Sequence, residues 1–450
     1  MKKKILLAVL VTVCMSVDAV AGGLLTNSNQ SASFLRNPSR DAVIDIDGMY
    51  VNPAGVVFMQ KGWHFGLTGM NAHQSRDIET TFAPLAMNYE HLGNPTHLYK
   101  GNALAPVAPC LQAAYVADRW TAGLNFAFGS GGGNCEYPDA VADLEGAYAL
   151  LMKSTLGANM DAYSMDSYLK GGVYHYCISL GGAYKVLDNL SVGGGLRGVI
   201  VRNNYEGYLR NIQIYNMTAT GMLYNPNISG MMQPYYLNLD CTQKGFGLTP
   251  YLSIDWKLND HWNFAAKYEF KTRLRLENET EFAGPAQAQA MLGQFADGTS
   301  VADDLPAIIT LGAQYTPIQT VRLSAGFHHY FDKQATKYAD RQKYVNKGTS
   351  ECTLGAEWDC LKWLTVSGGW QFTHYDLADE YFSDMNFTMS SHLIGGGFRF
   401  HVLPMLSIDL SAMKNFYQTR DVVTTLAGYE MKDHYIRDNY TFGLGVNLNF

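Results

Sequence analysis

The chain has 450 residues, and those that could support metal, thiol or phosphate chemistry are twelve histidines, seven cysteines and the glycine run GSGGGN at 129–134. Metal sites need His and Cys at short fixed spacings, and neither HExxH nor CxxC occurs anywhere in the sequence. His328 and His329 are adjacent, and neighbours on a strand point to opposite faces, so the two rings cannot share one ion. The glycine run lacks the Gly-Lys-Ser/Thr ending and the following helix of a phosphate loop. No catalytic residue, metal or cofactor is therefore assigned. Beyond the N-terminal leader, Cys110, Cys135, Cys177, Cys241, Cys352 and Cys360 are too few to staple a chain of this size. They read as unpaired thiols, with a Cys135–Cys241 bridge between two exported loops as the alternative.

The first residues set the compartment. Lys2, Lys3 and Lys4 precede an apolar run from Ile5 to Met15 and the small-x-small sequence Ala19-Val20-Ala21. This is the layout of a secretory signal peptide over residues 1–21, with the mature chain starting at Gly22. The run falls short of the roughly 20 residues a spanning helix needs. Val13, before Cys14, is bulkier than a lipoprotein site prefers. Loss of three lysines and Asp18 with the leader moves the formal net charge two units more negative than −7. That balance argues against nucleic acid as a partner.

What must position any function is a set of strands. In HWNFAAKYEFKTRLRL, Trp262, Phe264, Ala266, Tyr268, Phe270, Leu274 and Leu276 fall on one face, and Asn263, Lys267, Glu269, Lys271, Arg273 and Arg275 on the other. The terminal YTFGLGVNLNF beats the same way from Tyr440 to Phe450. Fourteen such segments can be placed: 63–70, 107–117, 119–128, 173–186, 189–204, 244–257, 261–276, 306–316, 320–332, 351–360, 363–374, 389–402, 405–417 and 437–450. Their connections alternate between tight turns (ADRW, VLDN, LNDH, TPIQ, CLKW, VLPM) and long loops, the rim asymmetry of an outer-membrane barrel. Eleven residues at about 3.4 Å each, tilted about 40°, span roughly 28 Å, close to the apolar band of such barrels. The reading is an all-β fold: a fourteen-stranded antiparallel transmembrane β-barrel over 63–450, with apolar faces on lipid and polar faces lining the lumen. A soluble sandwich with its apolar faces inward is the alternative.

Residues 22–62 do not alternate, and Leu24, Leu25, Phe34, Leu35, Val43, Ile44, Ile46, Met49 and Tyr50 favour burial. The segment is read as an N-terminal hatch, or plug, folded into the lumen. It ends in Asn52-Pro53-Ala54-Gly55. With this motif, and with DNLSVGGGLRG, LNDHWNFAAKYEFKT, LPAIITLGAQYTPIQTVRLSAGFHHYFDK and FGLGVNLNF, the chain resembles the FadL-type long-chain fatty acid transporters and their toluene-transporting relatives over essentially its whole mature length. The resemblance implies a hatch-plugged barrel of the Gram-negative outer membrane. It would pass hydrophobic compounds, fatty acids or aromatic hydrocarbons, inward by diffusion and release them sideways through a kinked strand. It puts Leu24 and Leu25 near a lumen pocket, with Phe34 a further ligand candidate. The stretch SASFLRNPSRDAVIDID is more charged than the family usually shows. Gly123 and Gly129 to Gly133 are where the third strand could bend, a glycine-rich loop being the plainer reading.

The long loops offer an apolar capture surface. Pro138 opens a helix that sets Val141, Leu144, Tyr148 and Leu151 on one face, and GPAQAQAMLGQF at 284–295 is a second short helix. Met222, Met231 and Tyr235 are the loop residues expected to meet ligand, since methionine adapts to varied apolar shapes; packing of loop on loop explains them equally well. Further partners implied are outer-membrane lipid and lipopolysaccharide, and the barrel-insertion machinery, which would read Phe450. A nonspecific porin, a structural or adhesive barrel, and, further off, a barrel enzyme with Ser, Asp and His at one height remain the other function classes.

Overall fold

The computed structural model describes residues 31–284 and 293–450. The leader, Leu24, Leu25 and most of the helix expected at 284–295 lie outside the described residues. The fourteen expected strands are all present and form a closed antiparallel barrel. They are β1 Gly62–Phe82, β2 Thr96–Val116, β3 Trp120–Tyr137, β4 Ala162–Leu187, β5 Leu190–Thr218, β6 Leu237–Lys257 and β7, built of Trp262–Glu269 and Arg275–Ala283. The second half is β8 Ile308–Ile318, β9 Val321–Tyr330, β10 Val345–Leu361, β11 Leu364–Leu377, β12 Ser391–Leu403, β13 Leu406–Tyr417 and β14 Tyr429–Asn449. Three short strand pieces, Gly221–Tyr224, Ser300–Ala302 and Arg420–Leu426, decorate the outer loops.

Closure runs from His64 opposite Asn449 to Phe82 opposite Met431. Trp63 and Phe450 complete it by exchanging backbone hydrogen bonds of 3.0 and 2.8 Å. The last strand therefore leaves no free sheet edge. Its faces are assigned as the alternation predicts: Phe442 and Leu444 are exposed outward, while Thr441 and Asn447 are buried toward the lumen. Such an outward face has hydrocarbon as its natural solvent. The tryptophans mark its lower border. Trp120, Trp256, Trp262, Trp358 and Trp363 beside short turns, and Trp63 at the start of β1, are all exposed, forming an aromatic girdle at that rim.

Strands run well past the expected segments on the long-loop side. β5 has 29 residues, which at about 3.3 Å per residue and a tilt near 40° gives roughly 70 Å, more than twice the apolar band. Alternation continues there with its polarity reversed: Val201, Tyr205, Leu209 and Ile214 of β5 are buried inside while Arg202, Glu206 and Arg210 face out to water, so only the lower, apolar-outward part was read as strand.

One face assignment is corrected. Leu274 and Leu276 are buried inside, not outside with Trp262 and Phe270, and Arg273 and Arg275 point outward. β7 breaks between its two segments, and its register against β6 slips by one: Tyr251 faces Glu269, whereas Gly245 faces Leu276. A one-residue slip exchanges the two faces. The leucines then join Cys177, Val199, Val201 and Val301 in an inner apolar cluster. All six described cysteines are free, so the Cys135–Cys241 bridge is absent.

Candidate functional site: hatch, lumen and an interrupted wall

Residues between Ser31 and β1 fold inside the barrel as three short helices: α1 Ala32–Arg36, α2 Gly48–Val51 and α3 Pro53–Val56. The Ser31 hydroxyl caps α1 by accepting the Phe34 N–H at 3.0 Å, and Pro53 starts α3 where its missing N–H costs nothing. The motif Asn52-Pro53-Ala54-Gly55 is the foot of this hatch. Asn52 donates to Asp255 at 2.7 Å, and the Ala54 N–H donates to the Ser253 hydroxyl at 3.1 Å. Ser191 in turn donates to the Ala54 carbonyl at 2.6 Å. Space explains the glycines on both sides: a methyl group on Gly55 would sit 3.0 Å from Asp255, and one on Gly193 would sit 2.9 Å from the Ala54 nitrogen. The motif is thus a docking surface for β5 and β6.

The charged stretch after Phe34 is matched by the wall. Arg36 pairs with Glu357 at 2.9 Å, and Arg40 with Asp45, Asp47 and Glu357 at 2.8–3.0 Å. Arg399 of β12 reaches Asp45 at 2.8 Å and Asp409 at 2.7 Å. Burial alone would raise the Asp45 carboxyl, but Arg399, Arg40 and Arg36 outweigh it and hold it below the usual carboxylate range. His328 of β9 stands between two carboxylates, Asp41 at 2.9 Å and Glu351 at 2.8 Å. Both ring nitrogens face acceptor-only groups, so the geometry suits the imidazolium, which donates from each. His329 points away and meets Ser350 at 3.0 Å. Every charge the hatch contributes is paired, and deleting one partner of such a buried pair typically costs about 3–5 kcal/mol.

A different surface lies beside β2 and β3. Phe34 and Leu35 of α1 pack in one cluster with Met70, Ala108, Phe128 and Leu393, with Tyr174 and Tyr176 against it. Here the wall is not continuous. β2 and β3 pair from Leu111–Phe126 downward and from Leu104–Asn134 upward, with no pairs between. On the other side β3 slips twice against β4, between Phe128 and Ser130 and between Gly131 and Gly133. Gly131 has a φ of +70°, and a Cβ there would collide with the Val173 carbonyl; only glycine takes this bend without strain. Ile178 and Leu180 of β4 are exposed outward while His175, Cys177 and Ser179 are buried inward, which by alternation puts Tyr174 and Tyr176 on the outer face. Phe128 lies 5.0 Å from Tyr176 and 6.3 Å from Tyr174, ring centre to ring centre. The apolar cluster therefore runs from the hatch, past the interrupted ladder, to the outside of the wall.

Above the hatch, α4 (Ala142–Leu156) fills the mouth. Tyr148, Leu151 and Met152 pack on Tyr163, Leu209 and Ile214; Val141 and Ala142 pack on Ile78 and Tyr435; Ala147 and Leu150 pack on Phe82 and Leu426. The expected helix is real, but it begins at Ala142, with Pro138 in the turn before it and Val141 at its N-cap, and it is buried on three sides rather than one. Its N-terminus carries Asp143, whose N–H donates to Asp384 at 2.8 Å. Burial, then the nearby carboxylates, push both Asp143 and Asp384 above the usual carboxylate range.

Asn52, Pro53, Ala54 and Gly55 and, separately, Phe34 all lie inside the barrel, but on different walls: the motif docks on β5 and β6, whereas Phe34 packs with Met70, Ala108, Phe128 and Leu393. The structure does not bring Met222, Met231 or Tyr235 there: they lie on the outer hairpin and on α5 (Pro226–Met232) with the turn after it. Met231 is exposed, and Tyr235 packs beside the Met232 cluster. Sequence reading missed the wall residues Ser191, Ser253, Asp255, Glu357, Arg399 and Asp409. Their alternation marked them as lumen-facing, but nothing in it named their hatch partners.

No family model matches the chain, and no curated protein is similar to it in sequence. Solved structures do match. A FadL homologue from Pseudomonas aeruginosa covers 96% of this chain and all of its own, with a TM-score of 0.63 at 14% identity. The chain has the fold of the FadL-type barrels. The toluene transporter TodX of Pseudomonas putida gives a TM-score of 0.59 at 14% identity, over 95% of this chain and all of its own. TbuX of Ralstonia pickettii, also a toluene transporter, gives 0.53 at 14% identity over 92% of this chain and 98% of its own.

Proposed function

We propose that this protein is an outer-membrane transporter for passive uptake of hydrophobic compounds, fatty acid-like or aromatic, in a Gram-negative cell, and not an enzyme. The observation that carries the reading is the apolar cluster linking Phe34 to the outer face beside the interrupted β2–β3 ladder. Solubility supplies the logic. An apolar solute that reaches the lumen gains about 25 cal/mol per Å² of surface it buries, so it partitions onto Phe34, Met70 and Phe128 rather than into the ion-paired half. A gap in the wall then lets it leave for lipid without crossing the charged hatch. Exposed Met217, Leu223, Met231 and Tyr236 on the outer hairpin serve as the first capture surface, with Met222 and Tyr235 beside them. Leu24 and Leu25 are proposed as further contacts for the permeant. The FadL homologue and the two toluene transporters, sharing this fold, support the substrate class.

Binding of a fluorescent fatty acid and of toluene to the purified protein, beside its ion conductance in planar bilayers, tests the reading. Saturable binding with little conductance, and loss of binding in Phe34→Asp, is expected. A large steady conductance without binding would refute it in favour of a porin.

A further inference from the structure

His175 sits on the inward face of β4, 2% exposed, and neither ring nitrogen has a hydrogen-bond partner. Its surroundings explain why. Along one level of the barrel the register sets Ser130 of β3 opposite His175, then Val201, Gly245, Leu276 and Val301 on the strands that follow. Val201, Leu276 and Val301 belong to the inner apolar cluster, and His175 is the one ring with polar atoms in the row. The charges that act on it, Asp303 and Lys337, are engaged with each other at 2.6 Å. A phenylalanine or leucine would continue the row without loss, whereas a buried polar atom left without a partner costs about 1–3 kcal/mol. The ring also lies where β3 slips against β4, one ladder position from the Phe128–Tyr176 pair at the edge of the gap and on the opposite, inner face of the wall.

A neutral imidazole offers one donor and one acceptor. The missing partner must come to it through an apolar lumen, so its body is apolar, and a hydroxyl satisfies either tautomer without burying a charge. Resting on the transport reading above, we propose that His175 is a specificity-determining residue that hydrogen-bonds the hydroxyl of an otherwise apolar permeant, an aliphatic alcohol or a phenol, as it reaches the break in β3. The barrel then selects hydroxylated compounds over hydrocarbons of the same shape.

The pair p-cresol and p-xylene, which differ by OH against CH₃, tests this by calorimetric titration of the full detergent-solubilised protein. The wild type is expected to prefer p-cresol. His175→Phe should weaken p-cresol about tenfold, leave p-xylene within about twofold, and so erase the preference, as loss of one buried hydrogen bond predicts. His175→Gln, which keeps a donor and an acceptor, should retain most of it. An unchanged cresol-to-xylene ratio in His175→Phe would overturn the proposal and leave the ring to an internal water; so would a wild type that binds both probes equally. Binding of p-xylene without p-cresol discrimination leaves the transport reading standing, whereas a wild type that binds neither probe removes both. Decanoate run beside decanol separates the head groups: tighter decanoate binding that depends on His175 would overturn the hydroxyl assignment in favour of a carboxylate.

Discussion

The two sides of this barrel are built on opposite terms. From β9 to β13 the ladders run without interruption through the lumen-facing stretch, Val321–Tyr330 against Thr349–Trp358 and Ser391–His401 against Ser407–Tyr417. Those strands hold the hatch through Arg36, Arg40, Asp41 and Asp45. From β2 to β4 the ladder is broken, glycine-rich and lined by aromatic and aliphatic side chains. Ion pairs stripped of water need fixed geometry, because a displaced partner leaves an unpaired charge in a medium of low dielectric. Dispersion contacts tolerate displacement and replacement. The rigid side suits an anchor; the other suits a passage.

The harshest way to break this contrast is to remove the anchor. Deleting residues 31–50 should raise single-channel conductance many-fold in planar bilayers, because it empties the lumen of the folded plug; an unchanged conductance would mean that the outer cap formed by α4 seals the barrel alone. Next in size is Glu357→Gln, which leaves Arg36 and Arg40 short of a shared carboxylate. A penalty of about 3–5 kcal/mol on hatch docking should appear as faster proteolysis of the hatch, with the barrel's own melting little changed. Ala108→Trp probes the opposite side. Filling the cluster at the gap should slow uptake of a hydrophobic probe into proteoliposomes about tenfold, an effect expected only if this side is the route, while conductance stays low.

Acid and base should separate hatch from cap. Asp45 is depressed in the folded state, so its contribution is present above the unfolded carboxylate value near 4 and is lost as pH falls below it. Asp143 and Asp384 are raised, so the folded cap holds protons that the unfolded chain has released, and its stability falls as pH rises from about 4 upward. Hydrogen exchange of α4 should therefore slow on going from pH 8 to pH 5, after correction for intrinsic rates, while hatch protection stays flat until the solution is more acidic than about pH 4. The smallest effect is expected at the capture surface. Met231→Ser on the exposed hairpin should weaken initial probe capture two- to threefold by roughly the value of one lost apolar side chain contact, without changing conductance.

Much of this was written in the periodicity. Fourteen segments alternate because lipid on one side and polar groups on the other impose a period of two, and the short turns between them fixed which rim was which. Asn52-Pro53-Ala54-Gly55 was legible as a hatch motif through the chain's resemblance to the FadL-type transporters, since an Asn-Pro turn alone does not name what it docks on. The break in β7 was not. One extra residue in a strand costs the sequence nothing visible, so Leu274 and Leu276 read as outward until the register against β6 showed the slip. The upper halves of the strands were also missed, since above the membrane the polarity reverses, with apolar side chains inward on the cap and charged ones outward in water.

The alternating strands, the rim asymmetry and the charge of the hatch were all consequences of local residue type and spacing. Only the tertiary structure decided that Arg36 and Arg40 meet Glu357, that Phe34 meets Phe128 at the edge of a broken ladder, and that His175 is left with no partner. The first two join residues tens to hundreds of positions apart, and it is barrel closure that sets which residues meet across the lumen and which, like His175, meet none.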